Sequence, residues 1–248
     1  MSYTISEQVK LPSGGTIYDK QFDPNVTLRS MTTEDEMKRL SPCELPYKMM
    51  SEVIDDCINE TIPISSYDMC IGDYEYLLHK LRIVTFGADY GLRTTCPVCR
   101  TEDESVIDLD SFEVLTLEDA ENNFTFTLPK SGDEIKINFQ TPHMMDMVLQ
   151  KQREAKKKMK TATDASMLYL LSALIRTVNG KTLDEFHKEL YVRKMPLADS
   201  NFIIKKADKF NRKVGINTTT KHICSNCGVE YDVPFRFNET YFGPSVDE

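Results

Sequence analysis

The chain has 248 residues, 40% of them hydrophobic and 28% charged, the balance of a globule able to bury a core in one large or two small domains. Its net charge of -9 and pI near 5.1 argue against general nucleic-acid binding, which depends on cations neutralising phosphates. No apolar run is long enough to span a bilayer, and Met1-Ser2-Tyr3-Thr4-Ile5-Ser6-Glu7 lacks a cationic region followed by an apolar stretch, so a cytoplasm is expected.

In the first third, Val9-Lys10-Leu11 and Thr16-Ile17-Tyr18 flank the turn-forming Pro12-Ser13-Gly14-Gly15 and predict a hairpin, with Val26-Thr27-Leu28-Arg29 as a further strand. Thr33-Glu34-Asp35-Glu36 fits a capping box and predicts a short helix through Leu40, ended by Pro42. Pro46 opens a second helix, Tyr47 to about Asn59, with Met49, Val53 and Cys57 on one face. A third begins near Asp73, where Tyr74, Leu77, Leu78, Leu81 and Val84 form an apolar stripe that Gly87 closes. His79 on this helix is expected at the surface or its boundary, whereas Cys43, Cys57 and Cys70 read as buried, inert thiols.

Two CxxC pairs follow, Cys96-Pro97-Val98-Cys99 and, half a chain later, Cys224-Ser225-Asn226-Cys227. Each stands between strand-forming runs, Leu92–Thr95 and Ser105–Leu109 around the first, Thr219–Ile223 and Val229–Phe235 around the second. Gly228 suits the left-handed turn of a zinc knuckle. Two such turns supply four thiolates, which complete a tetrahedral zinc site with no position left for water, so the expected cofactor is one structural zinc ion. The competing readings are two unrelated thiol pairs, or a thioredoxin-like redox pair at Cys96 and Cys99. His222 could replace a thiolate, but four cysteines already satisfy zinc. Seven cysteines, an odd number, suit a reducing compartment.

Between the knuckles, Phe124–Leu128 and Glu134–Phe139 predict a hairpin around Pro129-Lys130-Ser131-Gly132-Asp133. A helix is expected from Pro142 to about Lys160, and a buried one from an Asp164 cap to Val178, stopped by Asn179-Gly180. Thr182-Leu183-Asp184-Glu185 matches a second capping box, and Ile203, Ala207, Phe210 and Val214 mark a last helix ending at Gly215. The basic run from Lys151 to Lys160, with Lys156, Lys157 and Lys158 at its centre, is either a solvated helix face or a contact for an acidic partner. The aromatic tail, with Phe235, Phe237, Tyr241 and Phe242, either packs back onto the ribbon or anchors another protein. No Gly-rich phosphate loop, GxSxG elbow or HExxH motif occurs, and no acidic pair stands out as a catalytic dyad.

The expected fold is α+β. Residues 1–91 form an N-terminal hairpin and helical lobe, 92–113 with 219–240 a discontinuous zinc ribbon, 114–218 an inserted hairpin and mostly helical lobe, and 241–248 a tail.

The order of several short motifs is similar to that of the baseplate-hub proteins of T4-like contractile-tailed phages, both hub subunits and hub-assembly factors. It starts at Leu11-Pro12-Ser13-Gly14-Gly15 and Val26-Thr27-Leu28-Arg29-Ser30-Met31-Thr32-Thr33-Glu34-Asp35-Glu36. It continues in Asp73-Tyr74-Glu75-Tyr76-Leu77-Leu78, Leu81-Arg82, Phe86-Gly87 and Cys96-Pro97-Val98-Cys99. It closes in Cys224-Ser225-Asn226-Cys227-Gly228 and Tyr241-Phe242-Gly243-Pro244. The resemblance covers most of the chain. It implies a non-enzymatic hub component or assembly factor, partnered by other baseplate hub proteins in the host cytoplasm or the finished tail, with Cys96, Cys99, Cys224 and Cys227 as metal ligands. The alternative function is a zinc-ribbon nucleic-acid binder of the transcription type, using the basic run.

Overall fold

Among the described residues the buried apolar side chains gather mainly in two cores. The computed structural model describes residues 4–117, 124–158, 164–235, 237, 241 and 242. The architecture is α+β, with four two-stranded sheets and one of three strands among those residues.

Strand β1 (Ser6–Lys10) pairs with β2 (Asn25–Arg29), Val9 opposite Val26. The expected hairpin partner, Thr16-Ile17-Tyr18, is not a strand. The reason is Asp73, whose fully buried carboxylate accepts the Ser13 N–H at 2.9 Å and the Tyr18 hydroxyl at 2.6 Å. These bonds draw residues 11–24 down as a folded loop, closed by Leu11 N–H to Pro24 O at 2.9 Å. Gly15 at φ +69° lies so close to that loop's far side that a Cβ would stand 2.8 Å from the Phe22 carbonyl oxygen.

Helix α1 (Thr33–Arg39) is capped one residue earlier than expected, by Thr32 with Asp35 as its reciprocal partner. Asp35 is also held by Arg29, at 2.7 Å, which favours it over Glu36. Helices α2 (Pro46–Cys57) and α3 (Ile71–Phe86) follow, and all five residues of the α3 stripe are buried. With β1, β2, Leu109 and Phe112 they build the first core. Cys57 and Cys70 are buried as expected, but Cys43 is exposed, because it precedes α2 in the connecting loop.

Two hairpins carry the CxxC turns, β3 (Asp89–Thr95) with β4 (Glu102–Asp108), and, at the far end of the chain, β10 (Thr219–Ile223) with β11 (Glu230–Pro234). Between them, β5 (Val114–Leu115) leads to β6 (Thr125–Thr127) and β7 (Glu134–Ile137), whose Ile135 and Ile137 enter a second core, and then to α4 (Pro142–Lys158), which meets that core at Met144. The expected end of α4 at Lys160 lies outside the described residues.

Helix α5 (Ser166–Leu174) stops four residues before the expected Val178, and Ile175–Val178 becomes strand β8 on the edge of β7. Ile175 and Val178 are β-branched and buried there, so sheet pairing wins over continued helix. The N-cap is Ala165, while the Asp164 carboxylate accepts the Ser166 N–H at 2.9 Å. Helix α6 (Glu185–Lys194) is capped by Asp184 rather than Thr182, its carboxylate taking the His187 N–H at 2.9 Å. Helix α7 (Leu197–Asn211) ends before Gly215, which belongs instead to β9 (Gly215–Ile216), paired with β5. Gly215, at φ +118°, lies directly against Gly72 of α3; a Cβ on Gly72 would meet the Val214 carbonyl oxygen at 2.1 Å. Two glycines thus let one backbone cross another as the chain returns to the second knuckle.

Four buried aspartates tie segments remote in sequence. Besides Asp73, Asp146 on α4 accepts the Tyr47 and Lys48 N–H groups that open α2, at 3.3 and 2.8 Å. Asp199 on α7 accepts Lys130 N–H and Ser131 N–H in the β6–β7 turn, at 2.8 and 2.9 Å. The fourth is Asp103, at the paired knuckles. Each satisfies amides that would otherwise be left without partners, which costs about 1–3 kcal/mol per buried group.

Candidate metal centre

The two knuckles repeat one backbone pattern. Arg100 N–H bonds Cys96 O at 3.0 Å and Cys96 N–H bonds Thr101 O at 2.9 Å; in the second, Gly228 N–H bonds Cys224 O at 2.9 Å and Cys224 N–H bonds Val229 O at 3.0 Å. Both turns need a left-handed residue after the second cysteine, filled by Gly228 at φ +69° and by Arg100 at φ +63°. The glycine announces this in the sequence and the arginine does not.

These turns bring all four Sγ atoms within 4.8 Å of one another. Cys96 Sγ lies 3.7 Å from Cys227 Sγ, and Cys99 Sγ 3.5 Å from Cys224 Sγ. A disulfide would need about 2.05 Å, whereas a tetrahedron with metal–sulfur bonds of about 2.3 Å has edges of about 3.8 Å. The four sulfurs can therefore hold one metal ion, and the residues fit a closed, all-thiolate set. His222 is not among them; its Nε2 faces Asp103 Oδ2 at 3.3 Å.

Asp103 sits on β4 of the first knuckle and serves the second. Its carboxylate accepts the Ser225 N–H at 2.9 Å and also the Ser225 hydroxyl. Those bonds, the Ser225 side chain first, hold its pKa down at about 2. Across the gap, Thr101 Oγ1 accepts from Asn226 Nδ2 at 3.1 Å and lies 3.2 Å from Cys99 Sγ. The Thr101 hydroxyl, the Thr101 backbone and the Asn226 amide draw the Cys99 pKa down to about 5. Cys224 moves the other way, to about 12: the Cys227 backbone pulls it down, but desolvation and the neighbouring Cys99 and Cys227 sulfurs outweigh that. Crowded sulfurs oppose one another's ionisation, and a dication among them removes the opposition.

The remaining predicted residues lie elsewhere. Lys156 and Lys157 are exposed and Lys158 is the last described residue of α4, while Lys151 of the same run turns inward to Glu185 and Glu189 of α6. Tyr241 and Phe242 are buried in the first core, at 1% and 5% exposure. Tyr241 packs on Phe235 and Phe237 at ring distances of 5.4 and 5.0 Å. Its carbonyl accepts from Arg82 Nε at 3.0 Å.

His79, expected near the surface, is 2% exposed and lies between Leu109 O and the Tyr241 hydroxyl, both at 2.9 Å. A carbonyl only accepts, so Nε2 carries the proton and Nδ1 accepts from Tyr241. Desolvation pushes its pKa down to about 4 and keeps the ring neutral. The correction follows from the tail, which covers what would have been an open helix face.

A family model described as the T4 bacteriophage base plate protein matches residues 2–242. The chain belongs to this family. No curated protein and no solved structure matches it. The match extends across both knuckles and the buried aromatic tail, so the cysteine cluster of this baseplate protein lies inside the matched region. Among the described residues no helix is long and apolar enough to cross a membrane.

Sequence reasoning missed Asp103, Thr101 and Arg100. For Asp103 a signal existed: β4 alternates, and an acid in phase with the inward Ile107 needs a buried donor.

Proposed function

We propose that this baseplate-family chain is a non-enzymatic component or assembly factor of the tail hub, working by protein–protein binding in the host cytoplasm or the finished baseplate. In this reading one structural zinc ion clasps the ribbon of 92–113 and 219–240, closing the loop through the inserted lobe of 114–218. The N-terminal lobe of 1–91 and the tail of 241–248 complete the proposed division of the chain. The supporting observation is that four cysteines from segments half a chain apart lie at tetrahedral spacing inside a chain of the baseplate family. Thiolates that converge only in the folded chain make metal affinity part of the folding free energy. Other hub proteins are the proposed partners, and the exposed Lys156 and Lys157, with Lys158, remain a candidate contact for an acidic one.

The test is elemental analysis of the purified chain followed by chelation, with hub proteins co-expressed. About one zinc per chain is expected, and its removal or Cys96→Ser should abolish compact structure and co-assembly together. An intact, metal-free chain that still joins the hub would sink this reading.

A further inference from the structure

A cavity of about 1090 Å³ is lined by residues of α2, α3 and the end of α7, a size at the upper end of what holds a small organic ligand. Exposed Ser41, Cys43, Asp208 and Arg212 border it, and the half-buried Glu75 of α3 lies in its wall. Each of the four buried aspartates has donors, but Glu75 makes no hydrogen bond or ion pair among the described residues. Burial raises its pKa well above the usual carboxylate range, and no neighbouring cation opposes the rise. Of the two arginines that line the same cavity, Arg39 is held by Glu36 through Nε and Nη2, both at 2.7 Å. The other, Arg212, has Asp208 one helical turn before it.

A carboxylate without a counter-charge, set in the wall of a cavity, weakens the fold at neutral pH and marks a candidate binding site. Its surroundings set the chemistry of what would bind. Tyr47 of α2 and Tyr74 of α3 stand with ring centroids 6.2 Å apart. Burial first, with Glu75 among the charges after it, raises the pKa of both hydroxyls, so the carboxylate and the two rings share one corner of the cavity. Met50, Ile71, Leu78 and Met145 add apolar wall. A cation on a methylene chain suits all three kinds of surface: its charge meets the carboxylate and the aromatic rings, and its methylenes meet the apolar wall.

We propose that this cavity binds an alkylammonium chain, with the cationic end on Glu75 beside Tyr47 and Tyr74 and the methylenes along Met50, Ile71 and Leu78. Two sources carry that chemistry, a free polyamine and the lysine side chain of another protein. The ionisable groups around the site are Arg39 of α1, Cys43 of the loop before α2, Tyr47 of α2, Tyr74 of α3, Asp146 of α4, and Asp208 and Arg212 at the end of α7. Asp146 is occupied by the Tyr47 and Lys48 N–H groups, which leaves Glu75 as the carboxylate in the wall that a cation can reach.

The test is isothermal titration calorimetry of the full, metal-loaded chain with cadaverine, Nα-acetyl-lysine methylamide and Nα-acetyl-norleucine methylamide, the last lacking the ammonium. At least one ammonium probe should bind about tenfold or more tightly than the norleucine probe at about pH 8. Its affinity should fall between about pH 8 and about pH 5, and binding within that window should release a proton, because a cation favours the ionised carboxylate. Glu75→Gln should erase both the preference and the proton release. It removes an unpaired charge from a cavity wall, and circular dichroism verifies that the fold is kept; the proton release from the unaltered chain reads the same site without any variant. Binding of cadaverine alone assigns a free polyamine, and binding of the lysine probe at least as tightly assigns a side chain of another protein. The proposal is overturned if neither ammonium probe binds or if the norleucine probe binds equally well. It is also overturned if Glu75→Gln binds undiminished, which would mean only general attraction to a chain of net charge -9. None of these results bears on zinc content or hub co-assembly.

Discussion

Asp103 of the first knuckle accepts the backbone N–H of Ser225 in the second at 2.9 Å, a bond between hairpins that no metal mediates. It orients the Cys224–Cys227 turn against the first hairpin. Asp103→Asn keeps the shape and weakens this acceptor, so the metal site should form with the same four ligands but hold its ion about 10–100-fold less tightly, the usual effect of losing a supporting group. Competition with a chromophoric chelator at fixed pH measures the change. An unaltered affinity would show that the cysteines alone set the geometry.

Acid should act at two places, with distinguishable windows. His79 has a folded-state pKa of about 4, below the ordinary histidine value near 6.5, so its neutral form is favoured by folding. Its contribution is complete above about pH 6.5 and is lost as pH falls toward 4, on the order of 2–3 kcal/mol. Asp103, held at about 2, loses its contribution only below the ordinary carboxylate range, from about pH 4 downward. Urea titrations from pH 7 to 4 should therefore show a stability slope that His79→Gln flattens. An equally steep slope in that variant would assign the acid sensitivity elsewhere.

The strands and cysteines were legible because their signals are local. Alternation around Cys96 and Cys224 predicts β3, β4, β10 and β11, and the cysteine spacing predicts the cluster. What failed to show was set by distant partners. The Gly14-Gly15 turn looks like a hairpin tip until Asp73, far along the chain, binds Ser13 and Tyr18. Ile175–Val178 continues a helical stripe until β7 offers an edge. His79 is on a helix face that only the returning tail closes. In each case a buried partner from another segment outweighed a local pattern worth a few tenths of a kcal/mol per residue.

The crossing of Gly72 and Gly215 has a sharp mutational signature. A Cβ on Gly72 would stand 2.1 Å from the Val214 carbonyl oxygen, and backbone cannot swing aside as a flexible side chain can. Gly72→Ala should destabilise by about 3 kcal/mol, the upper range of overpacking. Gly132→Ala is the control: at φ +75° with open space around it, it should cost only the left-handed conformation, about 1 kcal/mol. Thermal unfolding of the two variants ranks them, and equal losses would remove steric crossing as the cause.

The tail can be separated into packing and polar parts at a single ring. Tyr241→Phe keeps the aromatic contacts with Phe235 and Phe237 but removes the donor to His79 Nδ1, leaving a buried acceptor without its partner. That should cost about 1–3 kcal/mol. Phe242→Ala removes a ring buried to 5% exposure and should cost about 3–5 kcal/mol, as large-to-small changes in cores do. Both losses fall on folding of the chain alone, measured by denaturant unfolding without any partner present. A Phe242→Ala chain of full stability that fails only in co-assembly would instead make the ring an interface anchor. The chain would then have to open its first core to bind, because Phe242 is packed there with Arg39 above its ring at 5.6 Å.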